Sequence, residues 1–189
     1  VVVQAVFFAV FALGGGRLGL GDRCRRRHTR RRRARNRSGV IVVEHRSPLL
    51  PSSPAPGLVE FDAAEMARVA VALATTALDA AGPVDSVGIA NQRASTVVWD
   101  RATGEPVAPG LGWQDLRTLG RCLELAGSGL RFAPNQSATK VEHLFDLADP
   151  DRTRDLCVGT VDSWIAWALT GGRAHVTDAS NAQVTALRT

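Results

Sequence analysis

Residues 84–100 read Val84-Asp85-Ser86-Val87-Gly88-Ile89-Ala90-Asn91-Gln92-Arg93-Ala94-Ser95-Thr96-Val97-Val98-Trp99-Asp100. Two short apolar runs, 84–90 and 96–99, flank a polar insert. Their length and β-branched content are those of buried strands. Asp100-Arg101-Ala102-Thr103-Gly104 is turn sequence, so 107–111 is expected to return as a hairpin partner. Upstream, Asp62 with Glu65 three residues later forms a capping box. Met66, Val69, Ala70, Leu73, Ala77 and Leu78 then follow at helical spacing, and Gly82-Pro83 stops the helix. Four prolines between Ser47 and Gly57 exclude regular structure there, and 40–44 reads as a further strand. Downstream, 115–126 is a predicted helix stopped by Gly127. A second is capped by Ser137, and a third starts at Asp162 or Ser163 and ends at Gly171-Gly172. Strands alternating with helices predict an α/β domain.

The chain has 189 residues, 45% hydrophobic and 22% charged, enough to bury a core. Fibrous, disulfide-framework and wholly disordered classes are excluded. The net charge of +5 divides sharply at Gly39. Residues 1–39 hold eleven arginines and one acid, Asp22, for +10, and residues 40–189 carry −5. A mildly acidic body argues against a nucleic-acid-binding face on it. The apolar run 1–13 is shorter than the ~20 residues that span a bilayer. The arginine run 17–37 has dense like charge and no apolar periodicity. Residues 1–39 are therefore expected to be an aberrant apolar, then Arg-rich, segment that is disordered or non-native, and 40–189 the folded body. A basic arm for nucleic acid or anionic lipid and a targeting leader are the alternatives for 1–39. Cys24, Cys122 and Cys157 show neither metal nor disulfide spacing, so the expected setting is reducing and cytoplasmic.

Chemistry has two candidate places. Asn91-Gln92-Arg93 follows a strand, where α/β folds place ligands, and Arg offers a planar fork of donors. Gly112-Trp113-Gln114-Asp115 offers an indole face against which the C–H surface of a polyol packs. The bland readings are a turn with a solvated arginine and a core tryptophan beside a capping aspartate. Trp99, Trp164 and Trp167 read as packing residues, and Asp162 and Asp178 as helix-start carboxylates. The histidines match no zinc spacing, and no GxxxxGK[ST] phosphate loop occurs.

An ordered series of segments carries more. Val87-Gly88-Ile89-Ala90-Asn91-Gln92-Arg93, Thr96-Val97-Val98-Trp99-Asp100 and Thr103-Gly104-Glu105-Pro106 come first. Gly112-Trp113-Gln114-Asp115 with Arg117-Thr118, and Ser137-Ala138-Thr139-Lys140, follow. Gly159-Thr160-Val161-Asp162-Ser163-Trp164 and His175-Val176-Thr177-Asp178 with Asn181 complete it. Together they resemble the N-terminal domain of the FGGY carbohydrate kinases, in the manner of their glycerol kinase branch.

The resemblance implies an actin-like ATPase fold on a ribonuclease-H-like mixed sheet with flanking helices, here with its first strands not in recognisable form. It implies ATP-dependent phosphorylation of a polyol or sugar hydroxyl by the parent protein, with ATP and Mg2+ as cofactors. It marks Arg93 and Trp113 as substrate-binding. Ala94 stands where the branch places Glu, and Asn135 where it places Tyr, so a preference for glycerol is not assumed. No catalytic, cofactor-binding or metal-binding residue is carried over. The family's Asp-x-Gly-Thr-type loop is not found before Val40, and the second domain with its catalytic Asp is not found before Thr189. The chain is accordingly expected to be a truncated, inactive fragment of a cytoplasmic enzyme that takes a polyol or sugar, binds no membrane, and belongs to an often homo-oligomeric family. The rival readings are a non-catalytic sugar-binding or interaction module and a basic-arm nucleic-acid binder.

Overall fold

The computed structural model describes residues 8–12, 31–35 and 41–187. In chain order the strands are β1 (Phe8–Ala12), β2 (Arg31–Arg35), β3 (Ile41–His45), β4 (Glu60–Phe61), β5 (Ser86–Ala90), β6 (Thr96–Asp100), β7 (Gly110–Leu111) and β8 (Leu156–Thr160). The helices are α1 (Ala63–Ala81), α2 (Leu119–Gly127), α3 (Ala138–Ala148), α4 (Val161–Leu169) and α5 (Ala179–Val184). The chain is the mixed α/β protein expected.

Two four-stranded sheets form. The first has the order β3-β2-β1-β5, with β1 parallel to β2 and antiparallel to β5, and β2 antiparallel to β3. The second is antiparallel throughout, in the order β4-β7-β6-β8. Two stretches of the segment read as irregular, 8–12 and 31–35, thus form strands inside the first sheet. The reading of 1–7, 13–30 and 36–40 lies outside the described residues.

Helix α1 joins the two sheets. Asp62 caps it by accepting from the Glu65 N–H at 2.8 Å, and Gly82 ends it at φ +79°, its N–H donating to Leu78 O at 2.8 Å. Ala63, Met66, Ala70, Ala74 and Ala77 recur every three or four residues and form its buried stripe. Met66 and Ala70 enter a core with Phe61, Val97, Trp99, Cys157, Val161, Trp164 and Ile165. Ala74 and Ala77 pack instead against Val43, Val84 and Leu169.

The three tryptophans expected to be packing residues form one cluster. The Trp99 ring lies 5.1 Å from Trp164 and 5.7 Å from Trp167, and Trp164 Nε1 donates to Ala63 O at 2.8 Å. His175 joins it, 4.9 Å from Trp99, a role its isolated position in sequence did not suggest.

The 84–90 run departs from its reading. It was expected to be a buried strand, yet in β5 every residue but the partly buried Ile89 is exposed, Val87 to 47%. The reason is position: β5 is the outer strand of its sheet. The predicted 107–111 return is present, with Thr96 paired to Leu111 and an isolated bridge from Trp99 to Pro106. Among the described residues no helix is long and apolar enough to cross a membrane.

Candidate functional site

Three loops and helix α5 meet around a cleft of about 590 Å3 lined by Arg93, Ala94, Trp113, Asn135, Gln136, Gln183 and Val184. All four residues singled out from sequence, Arg93, Ala94, Trp113 and Asn135, lie on it. A larger open groove of about 690 Å3 runs along Trp164, Trp167 and the 101–106 turn, and holds none of them.

The first wall is the β5–β6 connection. Arg93 is exposed, and its guanidinium has no hydrogen-bond or ion-pair partner among the described residues. Ala94 is buried at φ +63°, the left-handed region that a Cβ disfavours. Its carbonyl accepts from Thr96 Oγ1 and Ser137 Oγ, both at 3.2 Å. Ser137 was expected to cap α3; its hydroxyl instead ties this loop to the start of that helix.

The second wall is Trp113. Gly112 precedes it because a Cβ there would sit 2.7 Å from Val59 Cγ1, where β7 passes β4. The Trp113 N–H donates to Ser95 Oγ at 3.1 Å, and the indole is 38% exposed, leaving a face toward solvent. The predicted helix over 115–126 begins only at Leu119, because Asp115 is turned inward. Asp115 is fully buried and accepts from the Val59 N–H at 2.6 Å and from Arg117 Nε at 2.8 Å. Arg117 also reaches Glu60 at 2.7 Å. Burial pushes the Asp115 carboxyl up, but bonds from Arg117 and the Val59 amide outweigh it and hold it below the ordinary carboxylate range. This ion cluster fixes the loop that carries Trp113 to β4.

The third and fourth walls are 134–136 and α5. The Ala133 N–H donates to Gln136 Oε1 at 2.8 Å, closing a small turn that presents Asn135. The Ser137 and Ala138 N–H groups donate to Thr185 O at 3.1 and 2.9 Å, docking the end of α5 on the start of α3. That docking brings Gln183 and Val184 to the cleft, two residues the sequence reading missed. The visible signal was their place two and three residues after Asn181.

A polar knot sets the angle of α5. Asp178 caps it as expected, accepting from the Ser180 and Asn181 N–H groups at 2.7 and 3.0 Å. Asp162 is no cap. It lies 6% exposed in the first turn of α4 and accepts from Thr160 Oγ1, from Thr177 Oγ1 at 2.7 Å and from Asn91 Nδ2 at 3.3 Å. Asn91 and Asn181 bond each other through their amides at 3.2 Å. Every carboxylate here is occupied in holding structure.

The cleft therefore presents one guanidinium, three amides, an indole face, the Ala94 methyl and the Val184 isopropyl group, with no acid among its lining residues. Such a set donates to and accepts from hydroxyl oxygens and covers C–H surface. It offers nothing to take a proton. Among the described residues no three His, Cys, Asp or Glu side chains come together to hold a metal ion. No chemical step is routed through Mg2+-ATP.

Comparison with known proteins places the chain. Residues 29–188 match the model of the FGGY family of carbohydrate kinases, N-terminal domain. The glycerol kinase of Ralstonia pickettii is 39% identical over 170 residues, covering 80% of this chain and 34% of that protein. The glycerol kinase of Dechloromonas aromatica is 44% identical over 169 residues, covering 80% and 34%. The chain thus spans about a third of the length of the curated relatives it matches. Among solved structures, Plasmodium falciparum glycerol kinase with ADP superposes with a TM-score of 0.73 at 20% identity, over 97% of this chain and 37% of that one. Gluconate kinase from Lactobacillus acidophilus gives 0.69 at 13% identity, over 96% and 36%. At those identities the likeness concerns the fold, which is the actin-like ATPase fold of the FGGY sugar kinases.

Proposed function

This chain belongs to the FGGY family of carbohydrate kinases through their N-terminal domain, and from that premise we propose that it forms the substrate lobe of a protein that phosphorylates a polyol or sugar with ATP. The observation that carries the reading is the convergence of Arg93, Ala94, Trp113 and Asn135 on one cleft from three separate loops. Arg93 donates to substrate hydroxyls, Trp113 covers the carbon chain, and the amides of Asn135, Gln136 and Gln183 read the remaining oxygens.

The substrate is not glycerol by default. With a methyl at Ala94 and an amide at Asn135, a hydroxyl that needs a carboxylate acceptor goes unpaired, which costs affinity. The lining also lacks a proton acceptor, so the 189 residues bind without turning over. General-base assistance typically supplies a factor of about 100 to 10,000. ATP and Mg2+ are cofactors of the parent reaction, held outside the residues described. The buried free thiols of Cys122 and Cys157 suit a reducing, cytoplasmic setting.

Calorimetry of the chain with glycerol, erythritol and xylulose tests this. One of the longer substrates is expected to bind, and Arg93→Ala to weaken it by roughly ten- to a hundredfold, the worth of a charge-assisted bond. Strong preference for glycerol, or an Arg93→Ala chain that binds unchanged, overturns the reading of the cleft. ATP-dependent phosphorylation by the 189-residue chain overturns the reading of inactivity. The acid-free lining favours one rival, a non-catalytic sugar-binding module. It is preferred if the full-length protein binds a polyol and transfers no phosphate.

A further inference from the structure

Lys140 is the only lysine among the 23 basic residues of the chain. It is also fully buried, the third residue of α3, in the first turn of the helix on which the cleft depends. Its Nζ donates to Pro134 O at 2.7 Å and to Trp113 O at 3.3 Å, with Gln136 O at 3.5 Å. Those carbonyls belong to two different walls of the cleft. Trp113 O is on the indole wall, and Pro134 O and Gln136 O bracket Asn135. A compact ammonium with three tetrahedrally disposed donors suits such a cage, whereas a planar guanidinium aims its donors in one plane. In a chain that otherwise uses arginine throughout, the exception stands where the geometry demands it.

We infer that Lys140 is a positioning residue, whose ammonium clasps the Trp113 and 134–136 loops together and so sets the width of the substrate cleft. The inference rests on the proposed reading of that cleft as a polyol site. Lys140 is not itself among the lining residues; its ammonium acts through the backbone carbonyls of Trp113 and Gln136, which are, and of Pro134 beside Asn135.

The clasp has a pH signature. Burial lowers the Lys140 ammonium from 10.5 to about 8; Asp115, from the β7–α2 loop, and Cys122, on α2, oppose that shift, and Arg117 adds to it. Above about pH 8 the amine keeps two hydrogens for three carbonyls, and one meets a lone pair. Substrate affinity is then expected to fall as pH rises through about 8. Stability moves the other way. The folded value lies below the unfolded one, so between about pH 8 and 10.5 the unfolded chain binds the extra proton, and this titration adds stability as pH rises.

The test uses the whole chain. Amide hydrogen exchange is measured over 110–116 and 133–137, with β6 as the internal control, for the natural chain and Lys140→Met. Faster exchange confined to the two loops, with affinity for the polyol identified by calorimetry falling about tenfold, is the expected result. Unchanged exchange overturns the clasp, and loosened loops with unchanged affinity overturn its control of the cleft. If Lys140→Met does not fold, the natural chain decides by itself. The single lysine gives one side-chain Nζ signal by NMR, and loop exchange corrected for intrinsic rate is expected to rise as that signal titrates. No rise across the titration overturns the inference. A Cys122→Ser chain removes the neighbouring thiol from that readout. If no polyol binds at any pH, the reading of the cleft fails, and the exchange data still judge the clasp.

Discussion

Strands β5 and β6 are separated by five residues, and both are apolar five-residue runs, yet they live in different environments. In β6, Thr96 to Trp99 are all 1% exposed or less. In β5, every residue but Ile89 is exposed. The cause is sheet order. β6 lies between β7 and β8, covered by α4 on one side and by Leu144 of α3 on the other, whereas β5 is the last strand of its own sheet. Burial is a property of neighbours, and the neighbours come from residues about fifteen to sixty positions away.

The comparison is open to direct attack. Trp99→Ala is expected to have the largest effect, about 3–5 kcal/mol, by emptying the centre of the aromatic cluster. For a chain of this length that is a fall of roughly 6–20 °C in melting temperature, and a shift under 3 °C would mean β6 is not the centre of the core. Asp115→Asn should follow at about 3 kcal/mol, because it leaves Arg117 and the Val59 amide facing a neutral group inside the fold. Urea titration reads it, and a cost below 1 kcal/mol would show that water replaces the carboxylate.

Asp178 gives a smaller effect that depends on acid. Bonds from Ser180 and Asn181 hold its carboxyl down to about 2, so its contribution is complete above the ordinary value near 3.8 and is lost as pH falls toward 2. Asp178→Asn should flatten part of the loss of the urea midpoint between pH 4 and 2, and an unchanged acid profile would contradict it. Val87→Ala comes last, under about 0.5 kcal/mol, as for a surface position. A cost above 1.5 kcal/mol would mean that the face of β5 is covered in solution and that its contrast with β6 is false.

What was legible in the sequence was local. Asp62 with Glu65, and Gly82-Pro83, marked both ends of α1 because capping is decided within a few residues. Asp100 to Gly104 marked its turn for the same reason. What was not legible depended on distant partners. Asp115 looked like a helix cap, since nothing near it announces Glu60 or the Val59 amide more than fifty residues upstream. The exposure of β5 was hidden for the same reason. Arg93, Ala94, Trp113 and Asn135 could be grouped only through family resemblance, and spacing alone left each with a bland alternative. Gln183 and Val184 were missed because the Thr185 carbonyl that anchors them bonds across 48 residues. Lys140 carried a signal that was overlooked, being the only lysine in an arginine-rich chain.

That solitary amine has a practical corollary. While the body stays folded, amine-directed acylating reagents find no accessible side-chain primary amine on it, because Lys140 is sealed beneath the loops it joins. Each molecule that opens there exposes one, so the yield of adduct at that position counts excursions from the native state directly, without an introduced label.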